Sequence, residues 1–125
     1  MEEIKELGLH KIKEVFEKEI IEGNAKFYYG SLRSGQKIEH DGSIVIIGEV
    51  NAGAEVFATE NIVVVGALRG VAHAGATGNT KATISAMGLS APQIRIANIV
   101  KEMEDVEDSK RQTARVVEGK IIIEE

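Results

Sequence analysis

The stretch Arg33–Leu68 reads RSGQKIEHDGSIVIIGEV (Arg33–Val50) followed by NAGAEVFATENIVVVGAL (Asn51–Leu68), and these two rows of 18 match column by column. Gly35 falls on Gly53, Ile38 on Val56, Ile44 on Ile62, Val45–Ile47 on Val63–Val65, Gly48 on Gly66 and Val50 on Leu68. A finer period of six runs inside each row, because Ile38, Ile44, Val50, Val56, Ile62 and Leu68 are all aliphatic. Self-similarity at a fixed period marks a chain that stacks one unit on the next, so it governs the fold ahead of any local propensity. An 18-residue row with an aliphatic every sixth position fits a three-sided β-solenoid. Each face is a short strand, each corner a turn, and the inward aliphatics stack from coil to coil.

Working outward, the solenoid is expected from about Leu32 to Val100. The third row, Arg69–Leu89, regains register only if about three residues are inserted near Gly75–Thr80, a Gly/Asn/Thr run with turn composition. A partial fourth row offers Ile94, Ile96 and Ile99 as inward residues. The acidic run Lys101–Lys110 breaks the pattern and reads as a solvated linker. Glu118-Gly119, between Ala114–Val117 and Lys120–Glu124, is a two-residue hairpin signal, and the hairpin is expected to cap or swap across the far end. At the other end, a short helix to Leu7 precedes Leu9–Glu22, which reads as strand or helix, with Gly8 and Gly23 as stops. Phe27–Tyr29 reads as a strand or plug over the open end of the solenoid. The expected division is an N-terminal segment over 1–31 and a β-helix domain with its C-terminal cap over 32–125.

Bulk composition narrows the function classes. The 125 residues make one domain by length. With no Trp and only five Phe and Tyr, the core must be built from Val, Ile, Leu and Ala. The single proline argues against disorder. The absence of Cys removes disulfides, thiol catalysis and Cys-ligated zinc. No apolar signal-peptide core follows Met1, and no run approaches the length of a transmembrane helix, so the sequence reads as a soluble cytoplasmic protein. A net charge of −5 disfavours nucleic acid as a partner.

Three groups of residues could carry function. His40 and His73 come first, because triangular solenoids of the hexapeptide-repeat acyltransferase type use a His as general base. In the 18-residue register His73 is expected in the column of Lys37 and Glu55, and His40 in that of Ala58. The two do not converge, and no catalytic fingerprint, metal set or cofactor motif is present, so no enzyme, metal or cofactor is expected. The second group is Arg33-Ser34-Gly35-Gln36 at the start of the first row. It reads either as an ordinary polar corner or as a recognition site, with a guanidinium fork, a hydroxyl and an amide around a glycine. Arg69-Gly70 occupies the columns of Arg33-Ser34 two coils on, roughly 10 Å away at one strand spacing per coil. The third group is the outward half of the aliphatic runs. If Ile44 and Ile62 point in, then Val45, Ile47, Val63 and Val65 point out. Such a strip suits a two-fold dimer, the alternative being coverage by the chain's own terminal segments.

RSGQ opening a solenoid, then NAGAEV, then GALRGVAHAG with a small Gly/Asn loop, and the tail Ala114–Glu124 together resemble the family of MinC C-terminal domains, over about Leu32–Glu125. The resemblance implies a short right-handed β-helix that dimerises and binds MinD, a membrane-bound ATPase, in its ATP-bound form. It thereby implies a cell-division inhibitor that acts on FtsZ and reaches the inner face of the cell membrane only through MinD. It also implies that Arg33, Ser34, Gly35 and Gln36 contact MinD, with Arg69 and Gly70 extending that surface. In such proteins the FtsZ-directed activity belongs to a complete N-terminal domain. The segment before Arg33 here matches only the last helix and strand of one, as in a longer protein cut short or a shortened homologue. Two rivals stand beside this reading: a bactofilin-like solenoid that polymerises end to end, and the acyltransferase, which needs a trimer and a catalytic His.

Overall fold

Alternating side chains and a stacked repeat give the chain its three faces. A computed structural model describes residues 19–103 and 110–125, and among these the regular structure is all β. The expected helix to Leu7, most of Leu9–Glu22, and most of the acidic run fall outside the described residues. Twelve strands of the described residues form two sheets. The first holds β1 (Glu19–Glu22), β2 (Ala25–Tyr29), β4 (Ser43–Ile47), β6 (Ile62–Val64), β8 (Ile84–Met87), β11 (Arg111–Val117) and β12 (Lys120–Glu124), in that spatial order. The second runs β10 (Ile99–Glu102), β9 (Gln93–Ile96), β7 (Val71–Ala74), β5 (Glu55–Ala58), β3 (Lys37–His40). Parallel bridges Leu32–Val50, Val50–Leu68 and Leu68–Leu89 make the third face, so the three-sided solenoid expected from the repeat is the fold observed.

The core follows the six-residue period. Ile38, Ile44, Val50, Val56, Ile62 and Leu68 are all buried, joined by Ile46, Val64, Ile84, Leu89, Ile94 and Ile96. Ile99 packs partly buried against this cluster. Burying an aliphatic of this size stabilises by roughly 1.5–3 kcal/mol, and here each stacks on its like in the next coil. Strand pairing keeps the 18-residue offset through the first two rows, with Ile38 on Val56 and Ile44 on Ile62.

The third row departs from the expectation in two places. Val56 stands on Ala72, because the corner between Leu68 and Ala72 lacks two residues that the Val50–Val56 corner has. Gly70 sits in this shortened corner, where a Cβ would run into the carbonyl oxygens of Asn51 and Ala54. Compensation comes from the Gly75–Thr80 loop, which puts Ile84 under Ile62 and Leu89 under Leu68. His73 consequently pairs with Phe57 and Arg95, not with the Lys37–Glu55 column. His40 does lie beside Ala58.

Both ends of the first sheet are antiparallel. At the start, β1 and β2 form a hairpin about Gly23-Asn24, and β2 pairs parallel with β4, so the stacked sheet begins before Leu32. Lys101 and Glu102, which begin the acidic run, complete β10 rather than a linker. At the far end β11 pairs antiparallel with β8, and the hairpin to β12 caps the stack. Its turn has Glu118 at φ 51° and Gly119 at φ 79°, the mirror-image turn that suits a two-residue loop.

The third face closes by a ladder of N–H donors. Leu32 N donates to Glu49 O, Val50 N to Ala67 O and Leu68 N to Gly88 O. Leu89 N has no further coil below it, and the side-chain oxygen of buried Gln112 accepts its hydrogen at 3.1 Å.

Candidate functional site

Arg33 stands where the third face turns toward the second sheet, at the top rung of the stack. The column rule places Arg33, Asn51 and Arg69 one below another, because Leu32, Val50 and Leu68 bridge directly above and below. Main-chain bonds fix this register: Asn51 N donates to Leu32 O at 3.0 Å, and Arg69 N to Val50 O at 2.7 Å. Asn51 adds its side chain, whose Nδ2 donates to Leu32 O at 2.9 Å. Sequence reasoning passed over Asn51, although its place in the Arg33 column was available from the repeat.

Residues 33–36 form a tight turn, with Gln36 N donating to Arg33 O at 2.9 Å and Gly35 N to Gly53 O at 2.9 Å. Ser34 lies over Gly53, where a Cβ would meet the Ser34 side chain. Arg33, Ser34, Gly35 and Gln36 are all exposed. Arg69 is held differently, since its Nη1 donates to Glu49 Oε1 at 3.1 Å, and Glu49 N donates to Ser31 Oγ at 3.0 Å. The arrangement offers an exposed guanidinium at the top and a braced one two rungs below. Beside Arg33 lies a cavity of about 320 Å³ lined by Tyr28, Tyr29, Gly30, Ser31, Arg33 and Gln36. A surface of this composition binds carboxylates through the arginine fork and apolar groups through the tyrosines.

The outward face of the first sheet adjoins this corner through Tyr29. Pairing sets Phe27 beside Val45 and Val45 beside Val63, and Tyr29 beside Ile47. Val65 is 52 % exposed and Ile47 37 %, while Val45 and Val63 are half-buried. Met87 and Tyr29 are also exposed, at opposite ends of the strip. The four residues expected to point outward therefore do so. Tyr29, Ile47, Val65 and Met87 leave apolar surface exposed along this strip.

The histidines lie apart from this surface and from each other. His40 Nε2 is 3.1 Å from Asn24 O, and His73 Nε2 is 2.7 Å from Ala97 O. Hydrogen bonding to a carbonyl makes each Nε2 the donor. The His73 ring also meets Phe57 edge-on at 5.7 Å. Among the described residues no group of three or more His, Asp or Glu could hold a metal ion. Nor is any helix there long and apolar enough to cross a membrane.

Residues 26–125 match the family described as septum formation inhibitor MinC, C-terminal domain. A probable septum site-determining protein MinC of Clostridium novyi is 45 % identical over 84 % of this chain and 51 % of its own length. The corresponding protein of Caldanaerobacter subterraneus is 47 % identical over 96 % of this chain and 59 % of its own. The chain thus spans between half and three-fifths of the length of these relatives. Among solved structures, a chain of the MinC:MinD cell division protein complex of Aquifex aeolicus superposes with a TM-score of 0.77 at 36 % identity, covering 82 % of this chain and 86 % of that one.

Proposed function

The chain belongs to the family of MinC C-terminal domains, and from that premise we propose that it is a binding module of a division-site inhibitor. It docks on ATP-bound MinD through Arg33, Ser34, Gly35 and Gln36, with Arg69 and Gly70 extending the contact. The observation that carries this reading is the exposed Arg33 turn at the top of the hydrogen-bonded stack, with Arg69 in register two rungs below. Two of these chains associate through the outward strip Val45, Ile47, Val63 and Val65. The module turns over no substrate and needs no cofactor of its own. Any nucleotide dependence belongs to MinD, which also brings it to the membrane. Inhibition of FtsZ runs through sequence outside the β-helix.

The test is co-sedimentation of this chain with MinD on lipid vesicles, in ATP and in ADP. Co-sedimentation in ATP alone is expected. Replacing Arg33 with Ala should weaken it by about 1.5–3 kcal/mol, the value of a charge-assisted contact. A folded chain that fails to sediment under either nucleotide refutes the reading.

A further inference from the structure

On the third face, each coil's first corner residue donates its N–H to the coil above. Asn51 N reaches Leu32 O, Arg69 N reaches Val50 O, and Ser90 N reaches Leu68 O at 2.9 Å. Arg33 heads the same column on the first rung, where the main chain of the described residues provides no such acceptor. Its N–H instead donates to the side-chain oxygen of Gln36 at 2.6 Å. Gln36 thus holds both polar groups of the Arg33 main chain, since its own N–H donates to Arg33 O.

The second row provides an internal comparison. The residue equivalent to Gln36 is Ala54, and its turn closes identically, Ala54 N donating to Asn51 O at 3.0 Å. No side-chain acceptor is required there, because Asn51 N is already taken by Leu32 O. Glutamine appears where the ladder ends and alanine where it continues. The same device recurs at the opposite end of this face, where Gln112 accepts from Leu89 N.

We propose that Gln36 is a positioning residue of the partner-binding corner: its amide oxygen fixes the Arg33 main chain and so aims the guanidinium. This narrows the part given to Gln36 above: its effect on binding passes through Arg33 and not through a contact of its own. This inference rests on the reading of the corner given above, and its test separates the two.

The experiment is a double-mutant cycle on the full chain, titrated against ATP-bound MinD on vesicles: Arg33→Ala, Gln36→Ala, and both together, with Gln112→Ala as a cap removed at the far end. Gln36→Ala is expected to weaken binding about 3- to 10-fold, the range of one hydrogen bond. In the Arg33→Ala background it should add less than about twofold, because coupled residues are non-additive. Hydrogen exchange at the Arg33 amide should accelerate in Gln36→Ala. Gln112→Ala should lower stability while leaving affinity within about twofold, which separates aiming from general loosening. Multiplicative losses from Arg33→Ala and Gln36→Ala would overturn the proposal, giving Gln36 its own contact while the corner itself stands. Unweakened binding by a folded Gln36→Ala chain would overturn it as well. Full affinity in Arg33→Ala would overturn the reading of the corner.

Discussion

Gly48 provides a sharp test of how tightly the coils are stacked. Its φ of 157° is one that L side chains rarely adopt, and a Cβ there would land on the Gly30 carbonyl oxygen with Ser31 N only 3.0 Å away. These are backbone atoms of the rung above, so relief requires the coils to separate. Gly78 separates the two contributions: at φ 110° it too disfavours a side chain, yet a Cβ there meets nothing within 4 Å. Gly78→Ala should therefore cost only the backbone strain, about 1–3 kcal/mol. Gly48→Ala should add an overpacking term of about 1–3 kcal/mol, for a total near 2–6 kcal/mol. Urea unfolding followed by circular dichroism measures both. Equal losses in the two variants, within about 0.5 kcal/mol, would refute the argument that inter-coil contact at Gly48 is rigid.

Other expectations follow from the surface and the hairpin. Val65→Asp should leave the unfolding free energy within about 0.5 kcal/mol, as exposed substitutions do, yet abolish self-association by sedimentation equilibrium if the outward strip is the dimer face. Glu118→Asn should raise stability by about 0.5–1 kcal/mol, because Asn accepts the positive φ of 51° more readily, and thermal unfolding reads the gain. Glu124 accepts from Arg115 Nε at 2.7 Å, and this hydrogen bond holds its carboxyl below the ordinary value of 4.5. A depressed carboxyl stabilises above its unfolded value and loses that contribution as pH falls through the folded one. The acid limb of the stability curve should accordingly be shallower in Glu124→Gln, measured by unfolding from pH 7 down to about pH 3.

The repeat made the solenoid legible because an 18-residue period is a statement about stacking that no local propensity can override. The Glu118-Gly119 hairpin was equally readable, since alternating strands flank a turn of the right type. The hairpin at Gly23-Asn24 was not read, although Gly-Asn between Ile20-Ile21 and the Phe27–Tyr29 run is the same kind of signal. Charged residues through Glu22 left that segment open between strand and helix and masked it. The position of His73 was misjudged because the two residues missing before Ala72 are hidden by a larger insertion before Ile84, so that only a net gain of three remains by Leu89. Only the pairing of β7 reveals the slip. The stacking of Arg69 below Arg33 followed from the register, because that column precedes the shortened corner. The bracing of the site by Gln36, Asn51 and Glu49 could not be read, since it depends on which rung is the first.

Gln36 and Gln112 terminate the same ladder from opposite ends, and the second row has Ala54, not a glutamine, in the Gln36 column. A row copied and inserted between them would find its donors and acceptors already matched, as Asn51–Leu68 does below Arg33–Val50. A row appended beyond either one would displace a cap. The stack therefore accommodates an added row between the two glutamines and not beyond either of them.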